Sequence, residues 1–305
     1  MRGDLDQIYR DLRPYAFAIA YRMLGSVSEA EDVVQDAFLR LYRAAPDDVV
    51  APKAYLATVT TRLAIDALRS ARARRESYVG PWLPEPLLTD PGASPADTVE
   101  TADSLSMAFL VVLERLSPVE RAVLLLHDVF GYDYAEVSAI VDKSEANCRQ
   151  LAARARRHVE QDRPRFETST AARAELAARF FAAASDGDMD GLVSLLAGDA
   201  AFYGDGGEKG AGLKLPVVGR EGVARVVMGL ARRAKALGIT TRLVEINGDP
   251  GTMYFDADGG LISLISVEVV EGEVQTIRGF VNPDKIAHLG RLSPLGRRPA
   301  GGDWA

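Results

Sequence analysis

Over the first 75 residues, apolar positions recur every three or four residues, the period of helices that bury one face. Leu12 to Leu24 is a largely apolar run. Further on, Val33, Val34, Ala37, Phe38, Leu41 and Tyr42 share one face of a helix whose opposite face is acidic and polar. Ser28 with Glu31 three residues later reads as the capping box that opens it. A turn is expected at Ala44-Ala-Pro-Asp-Asp48. Pro52 then starts another helix, with Tyr55, Leu56, Val59, Leu63 and Leu68 facing inward.

The period stops between Glu76 and Pro95, where Pro81, Pro84, Pro86, Pro91 and Pro95 punctuate the chain. The segment reads as a linker. It also carries Trp82, Leu83, Leu87 and Leu88, where a solvated tether would have serine or glycine, so another surface is expected to cover it. Helical periodicity returns near Thr98 and lasts to His158. Ser117-Pro118-Val-Glu120 is a capped helix start that closes near Phe130-Gly131, Asp133 with Glu136 caps the next helix, and Val141-Asp-Lys143 is a tight turn before Ser144 opens a basic helix. Two helices joined in this way form a helix-turn-helix.

After Pro164 the texture changes to three helices (Leu176 to Ser185, Asp190 to Leu196, Gly222 to Leu237) and strand-like runs. The runs are Ala200 to Tyr203, Thr240 to Ile246, Thr252 to Phe255, Leu261 to Val270 and Val274 to Phe280. They predict an α+β domain with a curved antiparallel sheet. The glycine- and arginine-rich tail from Ser293 is expected to be disordered. The domains are therefore 1–76, a linker at 77–97, 98–163, 164–292 and a tail at 293–305.

A net charge of -7 would argue against a nucleic-acid partner if it were evenly spread. It is not. Pro52 to Arg75 holds six basic residues (Lys53, Arg62, Arg69, Arg72, Arg74, Arg75) against Asp66, and Lys143 to Arg157 holds five (Lys143, Arg149, Arg154, Arg156, Arg157) against Glu145. Two basic stripes on an acidic chain are the footprint of a DNA reader. The single cysteine, Cys148, excludes an intramolecular disulfide and a cysteine-cluster metal site. No apolar stretch approaches the roughly 20 residues of a membrane span, and the N-terminus lacks an apolar signal core. The expected setting is the cytoplasm.

In the basic helix, Cys148, Leu151, Ala152, Ala155 and Val159 form the buried stripe. Ser144, Glu145, Asn147, Arg149, Gln150 and Arg154 lie toward DNA. Arg149 matches guanine O6 and N7, Asn147 or Gln150 matches adenine, and Arg154, Arg156 and Arg157 suit phosphates. The first stripe suits a separated strand, with Tyr55 as the aromatic beside Arg62, Asp66, Arg69, Arg72, Arg74 and Arg75. Tyr203, Asp205, Glu245 and His288 are the acid-base candidates of the last domain. Each reads more simply as a strand-end, loop or surface residue, and no nucleophile-base pair or metal spacing is visible. His127 reads as a satisfied core residue.

The segment Glu29-Ala-Glu-Asp-Val-Val-Gln-Asp-Ala-Phe-Leu-Arg40 resembles the region-2 helix by which extracytoplasmic-function (ECF) sigma factors bind core RNA polymerase. Tyr55 to Arg69 resembles the same region's promoter-melting and -10 helix, and Leu116 to Arg121 with the helix-turn-helix resembles region 4, which reads the -35 element. Trp82-Leu83-Pro84-Glu85-Pro86, Asp205-Gly206-Gly207 and Asn282-Pro283-Asp284-Lys285 are similar to motifs of the SigJ-like group 41, which fuses a C-terminal SnoaL-like domain. Glu208 departs from that pattern, standing where the group has another glycine.

The resemblance implies two all-α domains, sigma region 2 and sigma region 4, followed by an α+β SnoaL-like (NTF2-like) cone. It implies Asp32, Gln35, Asp36 and Leu39 as core-polymerase contacts and the three motifs as an interdomain regulatory site. The expected partners are core RNA polymerase and promoter DNA at its -35 and -10 elements, with no cofactor, no metal, no membrane and no enzymatic activity. The chain is expected to be monomeric when free, with a C-terminal pocket able to take a small-molecule ligand. The competing reading is a helix-turn-helix regulator whose C-terminal domain binds a ligand or catalyses.

Overall fold

The computed structural model describes residues 2–44, 51–89, 104–162 and 169–298, with side chains at 6–44, 51–70, 77–89, 104–160 and 169–298. The chain divides into two compact units, Met1–Ser77 with Asp97–Arg163, and Tyr78–Ala96 with Pro164–Ala305.

The first unit is helical. Helices α1 (Arg2–Leu24), α2 (Val27–Arg43) and α3 (Pro52–Glu76) pack on one another through Ile19, Leu24, Val34, Phe38, Leu41, Leu56 and Leu68. The cap of α2 corrects the sequence reading: Ser26, not Ser28, accepts the Glu29 N–H at 3.2 Å. Val27 and Ala30 must face the core, so the helix begins two residues earlier and Ser28 falls inside it. The expected turn at 45–48 lies outside the described residues.

Helices α4 (Met107–Leu113), α5 (Pro118–Leu124), α6 (Tyr134–Val141) and α7 (Glu145–Asp162) complete this unit. Ser117 with Glu120 and Asp133 with Glu136 both form capping boxes, as expected. Arg121, 2 % exposed, holds α5 in place by donating to the carbonyls of Met23 and Leu113, each at 2.6 Å, and pairing with Glu114 at 2.9 Å. Tyr15 and Tyr132 share a 2.5 Å hydrogen bond.

The second unit is a mixed sheet with helices on one face. Its strands are β1 (Leu88–Thr89), β2 (Leu196–Asp205), β3 (Val217–Val218), β4 (Thr240–Ile246), β5 (Asp249–Phe255), β6 (Leu261–Val270) and β7 (Glu273–Phe280), ordered β1-β4-β5-β6-β7-β2-β3. Helices α8 (Thr170–Asp186), α9 (Met189–Leu195) and α10 (Arg220–Ala236) bury Phe180, Leu192, Val223 and Val227 against Phe202, Ile265, Val267 and Ile277. The four strands β4 to β7 are an antiparallel meander, but β2 and β7 pair in parallel, which corrects the fully antiparallel expectation. β3 turns back against β2, α10 carries the chain to the far edge, and the three reversals of the meander then bring β7 beside β2 running in the same direction.

The expected disordered tail is corrected over residues 293–298. Ser293 donates to the Leu261 carbonyl at 2.8 Å and Arg298 to that of Lys209 at 2.7 Å, and Pro294–Gly296 forms a turn of 3₁₀ helix. Sequence composition could not foresee these backbone partners. Residues 299–305 lie outside the described residues.

Candidate nucleic-acid interfaces and the linker clasp

In α7 the stripe Cys148, Leu151, Ala152, Ala155 and Val159 is buried as the 3.6-residue period requires. That turns Ser144, Glu145, Arg149, Gln150, Arg154 and Arg157 to the exposed side, with Asn147 half-buried. Ser144 accepts the Asn147 N–H at 3.3 Å, so its hydroxyl is part of the cap. Arg149 pairs with Glu145 at 2.8 Å and lies 5.1 Å above the Tyr134 ring, which holds its fork at the start of the helix. Arg154 reaches Glu120 at 3.3 Å. Burial disfavours the charged form of Glu120, but hydrogen bonds from Ser117 and the charge of Arg154 outweigh it and hold the carboxyl below its usual range.

Arg156 is held by a partner outside its own helix. It forks onto both oxygens of Asp128, at 2.8 and 2.5 Å, and is half-buried, which ties α7 to the π-helical turn Leu125–Val129 that follows α5. The partner is 28 residues away and invisible to helix periodicity. Cys148 is fully buried and burial pushes its thiol up, as suits a packing residue. His127 donates from Nδ1 to the Tyr132 carbonyl at 2.7 Å and stacks on Tyr134.

On α2, Asp32, Gln35, Asp36 and Leu39 are all exposed along one face, and Leu39 is 42 % exposed, an apolar side chain left outside the core. On α3, Arg62, Asp66 and Arg69 are exposed and Tyr55 is half-buried. Arg69 pairs with Asp66 at 3.1 Å. Arg62 donates to the carbonyls of Ala139 and Ile140, each at 2.9 Å. These end α6, where unpaired carbonyls and the helix dipole favour a cation. Arg72, Arg74 and Arg75 continue along α3, but their side chains lie outside the described residues.

The second unit brings the three short motifs together. The Asp205 carboxylate, fully buried at the end of β2, accepts hydrogen bonds from the Tyr78 hydroxyl, from the Leu83 N–H at 2.8 Å and from the Lys285 ammonium at 2.6 Å. Lys285 is 7 % exposed, also donates to the Leu83 carbonyl, and sits 4.7 Å over the Tyr78 ring and 4.2 Å over the Trp82 ring. Asn282 donates to the Tyr78 hydroxyl at 2.7 Å and caps the turn Pro283–Ile286 (α11) by accepting the Asp284 N–H. Burial, reinforced by the Asp205 charge, keeps the Tyr78 phenol protonated well above its usual range.

Glycine is required in this loop for space. A Cβ on Gly206 would stand 2.3 Å from the Gly212 nitrogen, and one on Gly207, whose φ is +55°, would meet Asn282 at 2.7 Å. Glu208 follows the tight part of the loop and is exposed, and Lys209 pairs with Asp284 at 2.8 Å. The departure from the group's glycine therefore falls where a side chain fits.

Leu83, Pro84, Glu85 and Pro86 are buried and Trp82 half-buried, so the apolar linker has its cover. Beyond them the linker joins the sheet. Leu88 and Thr89 pair with Ile246 and Glu245, the Asn247 side chain accepts the Leu87 N–H at 2.8 Å, and His288 meets the Pro86 carbonyl at 2.9 Å. Glu245 accepts the Thr89 hydroxyl at 2.6 Å. Three of the acid-base candidates, Asp205, Glu245 and His288, are thus occupied with the linker. Sequence reasoning missed Tyr78, Asn247 and β1. The only local signal for β1 was the apolar pair Leu87-Leu88.

Among the described residues no group of histidine, cysteine, aspartate and glutamate could hold a metal ion, and no helix is long and apolar enough to cross a membrane.

Residues 8–74 match the family model of Sigma-70 region 2 and residues 106–159 that of Sigma-70, region 4. The chain is similar to the ECF RNA polymerase sigma factor SigJ of Mycobacterium tuberculosis, 39 % identical over 304 residues that take in 96 % of this chain and 95 % of that one. It is also similar to the probable ECF RNA polymerase sigma factor SigI of the same organism, 31 % identical over 284 residues, 92 % of this chain and 94 % of that one. The crystal structure of M. tuberculosis SigJ superposes with a TM-score of 0.74 at 35 % identity, covering 94 % of this chain and 98 % of that one. With a buried-stripe recognition helix behind a helical bundle, and likeness to SigJ along nearly the whole length of both chains, this protein belongs to the ECF sigma factors, the non-enzymatic subunits that bind core RNA polymerase and promoter DNA to begin transcription.

Proposed function

We propose that this sigma factor carries its own regulator, the second unit, which acts on promoter-directed initiation in cis by gripping the linker. The observation that carries this reading is the Asp205 carboxylate, whose hydrogen bonds from Tyr78, Leu83 and Lys285 join the linker to the end of β2 and to the turn Pro283–Ile286. A grip that is stronger in one arrangement of the DNA-binding regions shifts the population toward it. Run-off transcription with purified core enzyme should therefore change when the chain is truncated after residue 163, and again when Trp82 and Glu85 are replaced by alanine. Equal promoter output from all three proteins would refute the reading.

Asp32, Gln35, Asp36 and Leu39 serve as the core-polymerase face in this reading, and Tyr55, Arg62, Asp66 and Arg69, continued by Arg72, Arg74 and Arg75, as the -10 face. The -35 face comprises Ser144, Glu145, Asn147, Arg149, Gln150, Arg154, Arg156 and Arg157. The free protein is monomeric and works in the cytoplasm beside core polymerase. Because Arg149 is pre-positioned by Glu145 and Tyr134, Arg149→Ala is expected to weaken binding of the holoenzyme to its -35 element by about 1–3 kcal/mol, the worth of one bidentate base contact. A gel shift with base-substituted -35 sequences checks it: the variant should lose discrimination at one position, whereas loss of a phosphate contact would weaken all sequences alike.

A further inference from the structure

Between α8, α10 and the curved sheet lies a cavity of about 540 Å³, within the size range of small-molecule sites. Phe180, Phe202, Ile265, Ile277 and Phe280 are among its walls. The charged residues that line it are Arg233 and Lys235, both exposed on the last turn of α10 at its edge. No carboxylate, imidazole or thiol is among the lining groups, so a charged ligand group inside would be desolvated without a counter-charge.

One polar atom stands out. Thr252 lines the cavity opposite Ile265 in the β5–β6 register, is 3 % exposed, and its hydroxyl has no hydrogen-bond partner. A buried hydroxyl left unsatisfied costs about 1–3 kcal/mol, which a ligand atom placed against it would recover. Tyr254, two residues along the same strand, also lines the cavity, and burial pushes its phenol up to about 12, so it too stays an uncharged donor.

We propose that this cavity is a receptor site for an uncharged molecule with a hydrocarbon body and a hydrogen-bonding oxygen that meets Thr252. Resting on the linker reading above, the site is coupled to the clasp through adjacent residues. Gly204 and Val281 line the cavity, while the next residues, Asp205 and Asn282, hold the linker, and the Asp205 carbonyl accepts both the Val281 and Asn282 N–H groups at 2.9 and 3.0 Å. An occupant that shifts one residue of each pair shifts the other. By linkage, a change in the clasp must change affinity in the cavity.

The test is calorimetric titration of the full-length chain with 2-acetylnaphthalene and 2-ethylnaphthalene, two probes of similar shape that differ in a carbonyl oxygen. Both should bind, the acetyl compound about fivefold tighter, the worth of one ordinary hydrogen bond. Thr252→Val should erase that preference while keeping affinity for the ethyl compound, and should raise the thermal midpoint because an unpaired buried hydroxyl is gone. Ala231→Phe, which adds a ring from α10, should weaken both probes at least about tenfold, with circular dichroism confirming the fold. Binding of neither probe to the wild-type chain overturns the site, and so does a dimer that Ala231→Phe dissociates without any probe binding, which would assign the surface to a second copy. A preference that survives Thr252→Val overturns the polar determinant. Asp205→Asn separates the two levels: altered affinity for both probes supports the coupling, and unaltered affinity overturns the coupling while the cavity site stands.

Discussion

Asp205→Ala is expected to destabilise the sheet domain by about 3–5 kcal/mol, the range for removing one partner of a buried ion pair. Lys285 would keep its charge at 7 % exposure without the Asp205 carboxylate, and the Tyr78 hydroxyl and the Leu83 N–H would each lose an acceptor. The Tyr78 and Trp82 rings would still face the ammonium and offset part of the loss, about 2 kcal/mol for a desolvated cation over an aromatic. Calorimetry should show a lower midpoint for one of the transitions of the full-length chain, and limited proteolysis should cut between Tyr78 and Thr89, where the wild-type linker resists. Lys285→Met, which removes the other partner of the pair, should cost less, because Asp205 would retain two donors. Wild-type proteolysis and calorimetry in Asp205→Ala would mean that the clasp contributes nothing to holding the linker.

The second large effect concerns pH. Asp249, at the start of β5, is 2 % exposed and one of its carboxylate oxygens has no hydrogen-bond partner. Burial pushes its pKa up to about 7, against the pull of Arg278 and Arg173 and helped by the charges of Glu268 and Glu245. Arg278 is largely committed to Glu268, 2.5 Å away and equally buried, which is why it does not rescue Asp249. The folded state thus binds a proton that the unfolded chain releases near pH 4. Stability from the protonated form is complete below that value and is lost as pH rises through 7. Each unit of the difference is worth about 1.4 kcal/mol, so the sheet domain should be about 2–4 kcal/mol more stable at pH 5 than at pH 8. Denaturant titrations at the two values measure it. Asp249→Asn should flatten the dependence while leaving the fold intact, and a variant with the wild-type slope would place the titrating group elsewhere.

These two effects share a physical origin. Each rests on a carboxylate whose surroundings are assembled from segments far apart in the chain, so neither could be foreseen from its neighbours in sequence. Asp205 and Lys285 are 80 residues apart and Tyr78 is a further 127 from Asp205. The motif resemblance marked Asp205 and Lys285 as members of one site, but the aromatic that completes it, Tyr78, lies before the linker motif and has no periodic or compositional signal.

What the sequence determined by itself is what short-range physics decides. The stripe Cys148, Leu151, Ala152, Ala155 and Val159 follows from 3.6 residues per turn, and the capping boxes at Ser117 and Asp133 from side chains that meet backbone donors three residues on. The order of the longer strands β2 and β4 to β7 among the helices, and the α+β character of the second unit, were legible for the same reason. Where two serines competed for one cap, burial of Val27 and Ala30 settled the start of α2, and burial is a tertiary property. Only the tertiary structure decided that β2 pairs with β7 in parallel, that Arg156 belongs to Asp128 and Arg62 to the end of α6, and that Leu88 and Thr89 become a strand. Hydrogen bonds and burial between residues distant in sequence depend on which surfaces meet, and a chain's local pattern specifies each surface without specifying its partner.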